Sequence, residues 1–188
     1  MKKFIITIAT AFVLATSINV QAGLIDIELS NNDVALGNTL NVKLWGSSFT
    51  EFDTLFVDLE FDISLYSFQP ATVQSELPLF DGLWGLEVTE QFFGANLTFY
   101  GETSFTDQNI DGDDQFLLAS FDLLAIAEGN SDFQIDTLYG PLVALGLGDS
   151  QLIDVGPSVN AVSTSVPEPS SFAIFMLSAL MLVRRKKQ

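Results

Sequence analysis

From Leu24 onward, apolar and polar residues alternate with a period of two in run after run. In LIDIEL (24–29), Ile25, Ile27 and Leu29 share one face while Asp26 and Glu28 share the other. TLNVKLW (39–45) sets Leu40, Val42 and Leu44 against Asn41, Lys43 and Trp45. LFVDLEFD (55–62) sets Leu55, Val57, Leu59 and Phe61 against Phe56, Asp58, Glu60 and Asp62. Successive side chains of a strand point to opposite faces, so each run predicts a strand with one face buried. LWGLEVTE (83–90), ANLTFYG (95–101), QFLLASFDLLAI (115–126), DFQIDTL (132–138) and QLIDV (151–155) are further candidates. Turn residues separate them at Gly37-Asn38-Thr39, Asp81-Gly82 and Glu128-Gly129-Asn130. No stretch of this body has sustained helical spacing. Many short strands with one polar and one apolar face predict an all-β fold of two packed antiparallel sheets.

The pattern breaks at both ends. Residues 1–22 join Lys2 and Lys3 to an apolar run from Phe4 to Ala15 and then to Val20-Gln21-Ala22. A basic start, a short apolar run and small residues before the exit make a signal peptide, with cleavage by signal peptidase between Ala22 and Gly23. At the other end, GPSVNAVSTSV (156–166) lacks periodicity and reads as a linker. Residues 167–188 hold Pro167-Glu168-Pro169, an apolar run from Phe172 to Val183, and Arg184, Arg185, Lys186 and Lys187. That run is shorter than the roughly 20 residues that span hydrocarbon as a helix. It is apolar on all sides, however, and it follows a signal peptide. The terminal cations would stay in the cytoplasm, which predicts a short hydrophobic transmembrane helix at the C-terminus. The sandwich itself is expected over 23–155.

Charge narrows the range of functions. The chain has 24 acidic and seven basic residues, a net charge of −17. Six of the cations lie at the extreme termini, so between Gly23 and Val166 Lys43 alone faces 23 acids, a charge of −22. Such a body repels phosphate backbones, which excludes nucleic acid as a partner. With 17 Phe and 48% hydrophobic residues it is also too apolar to be a disordered acidic tail. The absence of Cys and His removes thiol nucleophiles, Ser-His-Asp triads and the usual zinc sites. No pair of carboxylates stands out as a glycosidase couple, and the chain is expected not to be an enzyme.

Two constellations could bind something. Asp107, Asn109, Asp111, Gly112, Asp113 and Asp114 place oxygens at alternate positions before a glycine, as in the first half of an EF-hand-like calcium loop. The twelfth position is Leu118, where a carboxylate would be expected, so a solvated acidic hairpin is the competing reading. Trp45 and Trp84, joined by Tyr66, Tyr100 and Tyr139, are candidates for stacking on sugar, against the plainer reading of rings that fill a core. Trp45 stands out because it lies on the polar side of its alternation. Asn96-Leu97-Thr98 matches a glycosylation sequon, a pattern short enough to arise by chance.

The order LGNTLNVKLWGSS, DTLFVDLEFDISLYSFQP, DGDDQFLLASFDLLAIAEGNSDFQI resembles the cohesin-type domain. Phe61-Asp62-Ile63-Ser64-Leu65 stands at that family's Tyr-Asp-Pro turn without the proline, and Asn38 replaces the acidic residue of its first turn. The resemblance implies a jelly-roll sandwich of about nine strands, and no dockerin partner is carried over from it. The tail resembles the PEP-CTERM sorting signal, in its Pro-Glu-Pro, apolar helix and basic cluster. That implies an exosortase, a membrane-embedded Cys protease-transpeptidase of Gram-negative bacteria that make exopolysaccharide. Residues 167–169 would then be its substrate. The expected protein is exported, passes through an inner-membrane intermediate and ends at the cell surface or in the extracellular matrix. Its role there is structural or adhesive, toward extracellular polysaccharide or a surface protein, with calcium on the acidic loop. A carbohydrate-binding module is the alternative.

Overall fold

The computed structural model describes residues 22–105, 115–138, 140–145 and 149–165. Within them the chain forms β1 (Gly23–Leu29), β2 (Asp33–Ala35), β3 (Thr39–Ser47), β4 (Phe52–Glu60), β5 (Tyr66–Gln74), β6 (Gly85–Gln91) and β7 (Gly94–Phe105). It continues through β8 (Phe116–Ala125), β9 (Gly129–Ile135), β10 (Leu142–Leu145), β11 (Asp149–Ser150), β12 (Ile153–Val155) and β13 (Val159–Thr164). The strongest alternations fold as expected. Leu40, Val42 and Leu44 of β3, and Leu55, Val57 and Leu59 of β4, are almost wholly excluded from solvent, and their neighbours are half exposed.

One sheet has the order β12-β1-β3-β8-β5. In the other, β6 pairs β7 and β7 pairs β4; the second edge of β4 is shared by β10 and β9. From β9 this sheet continues to β13 and β2, while β11 pairs β10. The strand pairs are antiparallel except β1 with β12 and β13 with β2, which are parallel. Those two parallel pairs let the last strands close both sheets beside the first ones.

The interior is rich in phenylalanine. Phe49 meets Phe52 and Phe116 edge-on at 5.7 and 5.5 Å between ring centroids, and Phe52 meets Phe99 at 5.9 Å. Phe61 stacks on Phe133 at 5.5 Å, and Phe68 meets Phe121 edge-on at 5.2 Å. Each such pair adds about 0.5–1.5 kcal/mol beyond the apolar area it buries. A chain without cysteine holds its two sheets together through this packing.

Nine strands of six residues or more match the expected number, and the described residues add four short ones, β2, β10, β11 and β12, of two to four residues each. Two expectations change. The segment 156–166, expected as a linker, contains β13, so the sandwich runs to Thr164 rather than ending at 155. β13 turns Ala161 and Ser163 inward, and side chains that small do not register as a hydrophobic face. β5 includes Pro70 and was not anticipated. Proline is tolerated there because β5 is an edge strand whose pairing with β8 is interrupted between Gln69 and Gln74. The signal peptide before Ala22 and the sorting tail with its hydrophobic helix lie outside the described residues.

Candidate interaction face

The two outer faces of the sandwich differ in chemistry. On the five-stranded sheet, β1 and β3 place Glu28 opposite Lys43 and Asp26 opposite Trp45. Lys43 Nζ donates to Glu28 Oε1 at 3.1 Å and lies 5.7 Å from the centre of the Trp45 ring. Trp45 Nε1 donates to Glu28 Oε2 at 2.7 Å. These two donors, the Trp45 N–H foremost and Lys43 next, hold the Glu28 carboxyl below its usual range. Farther along, Asn41 Nδ2 donates to Asp122 Oδ1 at 2.8 Å and Ser120 Oγ at 3.0 Å. On this face Glu28, Lys43 and Trp45 pair with one another, as do Asn41, Ser120 and Asp122.

The larger sheet presents an apolar strip. Leu142 of β10 lies directly across from Phe56 of β4, and Thr54 of β4 lies across from Tyr100 of β7. The Phe56 and Tyr100 rings meet edge-on at 5.4 Å. Tyr100 in turn pairs with Gly85, where β6 emerges from a loop that leaves Leu79, Phe80, Leu83 and Trp84 exposed. Asp81 shapes that loop. Its carboxylate accepts from the backbone N–H groups of Leu83 and Trp84, both at 3.0 Å, while Asp81 N–H donates to the Trp84 carbonyl. The same two backbone donors, Trp84 first, lower the Asp81 pKa. Gly82 takes a φ of +108°, which only glycine adopts without strain.

Acidic and amide groups border the strip. Asn96 Nδ2 donates to Asp58 Oδ1 at 2.7 Å and Thr98 Oγ1 donates to Asn96 Oδ1 at 2.8 Å, so the sequon amide is already engaged in mid-strand. Gln134 Nε2 donates to Glu60 Oε2 at 2.6 Å. Glu60 and Gln134 also line a groove of about 500 Å³ with Asp136, Thr137, Leu138 and Ser158.

The candidate residues are not brought together. Trp45 belongs to the five-stranded sheet and Trp84 to the loop entering the larger one, so the two do not share a platform. Tyr66 is wholly buried and faces no ligand. Asp107, Asn109, Asp111, Asp113, Asp114 and Tyr139 lie outside the described residues, as do Pro167, Glu168, Pro169 and the terminal cations. Leu118 is described and fully buried, so that position supplies no metal ligand. Among the described residues no group of three or more carboxylates is placed to hold a metal ion. Gly23 opens β1, and its N–H donates to the Leu152 carbonyl at 3.0 Å. Sequence reasoning passed over Phe56 and Leu142. The signal for Phe56 was visible, since it interrupts the polar side of its alternation as Trp45 does.

No family model and no curated protein matches the sequence. Solved structures do match. The CaCohA2 cohesin of Clostridium acetobutylicum superposes with a TM-score of 0.55 at 18% identity, over 77% of this chain and 94% of its own. A non-cellulosomal cohesin from the archaeon Archaeoglobus fulgidus gives 0.53 at 9% identity, over 81% and 97%. The chain has the cohesin fold. A third neighbour of this fold, from Clostridium thermocellum, is the Coh-OlpC–Doc435 type I cohesin–dockerin complex, with a TM-score of 0.54 at 8% identity over 76% and 95%.

Proposed function

We propose that this is an exported, non-enzymatic interaction domain that binds a surface protein through the outer face of its larger sheet. The observation that carries the reading is the Leu142–Phe56–Tyr100 strip, continued by Leu83 and Trp84 and bordered by Asp58 and Glu60. An apolar centre with a polar, charged rim is the anatomy of a protein interface. With a body charge of −22 the partner is expected to carry basic residues around an apolar contact. Cohesin-fold neighbours solved as dockerin complexes support a protein partner in general.

Export and sorting rest on the sequence. The signal peptide ending at Ala22, the Pro-Glu-Pro at 167–169 and the cations at 184–187 fit release by exosortase to the cell surface or the exopolysaccharide matrix. A photo-crosslinking residue placed at Tyr100 in the producing cell should yield a discrete protein adduct, while one at Lys43 on the opposite face should not. Equal labelling from both faces, or none from Tyr100, would remove the face from consideration. Mass spectrometry of the exported chain should find it starting at Gly23 and cut near Pro167. A mature form still ending at Gln188 would overturn the sorting.

A further inference from the structure

One end of the sandwich gathers exposed apolar side chains from four loops. Leu36 follows β2, Ile63 lies between β4 and β5, Phe92 tips the β6–β7 hairpin and Ile126 follows β8. Backbone hydrogen bonds tie these loops into one rim. Leu36 N–H donates to the Thr164 carbonyl at 2.7 Å and Gly37 N–H to that of Ala125 at 2.9 Å. Ile126 N–H donates to the Leu65 carbonyl at 2.8 Å, Leu65 N–H to that of Asp62 at 3.0 Å, and Phe61 N–H to that of Phe93 at 3.0 Å. Phe92 is 84% exposed.

Thr164 ends β13 within this rim, so the chain leaves the sandwich here. Gly23, where β1 begins, lies at the far end, beside Leu152. Beyond Ser165, residues 166–171 are all that separate the rim from the apolar run Phe172–Val183. Six extended residues reach at most about 20 Å. If that run enters the membrane, as the proposed sorting requires, the rim is tethered at the bilayer surface at a high effective concentration. An exposed phenylalanine at a hairpin tip gains most there, by burying its ring at the headgroup–acyl boundary.

We propose that, while the chain is anchored, the rim of Leu36, Ile63, Phe92 and Ile126 rests on a zwitterionic bilayer surface. The exposed carboxylates of Asp62, Glu90 and Glu128 lie in the same loops and in the β6 end beside them. They repel anionic headgroups, so docking weakens as the anionic lipid fraction rises.

The chain has no cysteine, so the protein from Gly23 to Gln188, freed of the signal peptide that would tether the opposite end, accepts a single fluorescent label cleanly. Ile126→Cys and Leu152→Cys, each labelled, are reconstituted into phosphatidylcholine vesicles that contain spin-labelled lipid. The label at 126 should lose about half of its emission or more, the label at 152 little, and Phe92→Asp should restore the emission at 126. Phe92 is exposed at a hairpin tip, so an unchanged thermal melt will show that this variant still folds. Protein that floats with the vesicles after alkaline extraction, yet shows equal quenching at 126 and 152, would overturn the docking and leave the anchor intact. Quenching at 126 that survives Phe92→Asp would overturn the role of the rim. Protein that fails to float would sink the anchor, and the docking with it.

Discussion

Tyr66 is fully buried at the start of β5, its ring edge-on to Phe133 at 5.7 Å, and its hydroxyl has no hydrogen-bond partner among the described residues. An unpartnered buried hydroxyl costs free energy while the ring around it contributes packing. Tyr66→Phe should therefore leave stability unchanged or raise it by up to about 1 kcal/mol in urea denaturation. Tyr66→Ala should lose about 3–5 kcal/mol through the cavity it opens. Burial first, and the Asp33 charge second, push the Tyr66 phenol above its ordinary 10.0. A phenol whose folded pKa exceeds its unfolded one supports the fold fully below the unfolded value and ceases to as pH rises through the folded one. Stability should thus fall above about pH 10, and Tyr66→Phe should blunt that fall. At this scale the sequence was legible where a residue obeyed its strand's alternation. Tyr66 fills the core, as the plainer reading of its ring allowed, although β5 itself was not seen, and Phe56 was passed over although its half-buried ring visibly breaks the polar side of its strand.

The β6–β7 hairpin and β13 show what an element needs beyond its pattern. The hairpin turns through Phe92 and Phe93, and Gly94 follows with φ +149°. A Cβ there would collide with the Leu59 carbonyl oxygen of the neighbouring β4. Gly94→Ala should cost at least about 2 kcal/mol, read as a lower urea midpoint with an unchanged slope. β13 reveals itself only through its neighbours. It supplies ladder partners to β9 on one side and β2 on the other and buries Ala161 completely. A chain ending at Gly156 leaves both strands with an open edge and should lose its cooperative melt by circular dichroism, whereas a chain ending at Ser165 should keep it. If both truncations melt alike, β13 is dispensable. The long strands β3 and β4 were legible because large aliphatic residues alternate with polar ones, and β8 because it is a long, nearly continuous apolar run. β13 was not, because closing a sheet beside a short partner requires small inward side chains, and these resemble a linker.

The whole molecule is an acidic shell around a phenylalanine core, with Lys43 the lone cation between Gly23 and Val166. That cation is already engaged by Glu28, so the remaining carboxylates act on one another mainly through solvent. Self-repulsion of this kind opposes compaction and is relieved by salt. Raising ionic strength from about 10 mM to 150 mM shortens the screening length from about 30 Å to 8 Å and should raise the melting temperature. Calcium offers a separate route, because four Asp residues between 107 and 114 crowd like charges into the connection between β7 and β8. If a calcium ion binds there with the ion at about ten times its dissociation constant, the folded state gains about 1.4 kcal/mol. For a domain of this size that is a rise of about 4–7 °C beyond what salt alone gives. The comparison is therefore calcium against magnesium at equal ionic strength. Asp107→Asn with Asp111→Asn should abolish the calcium increment and leave the salt response in place. Equal melting in the two cations would make the segment a solvated acidic hairpin, screened like the rest of the shell.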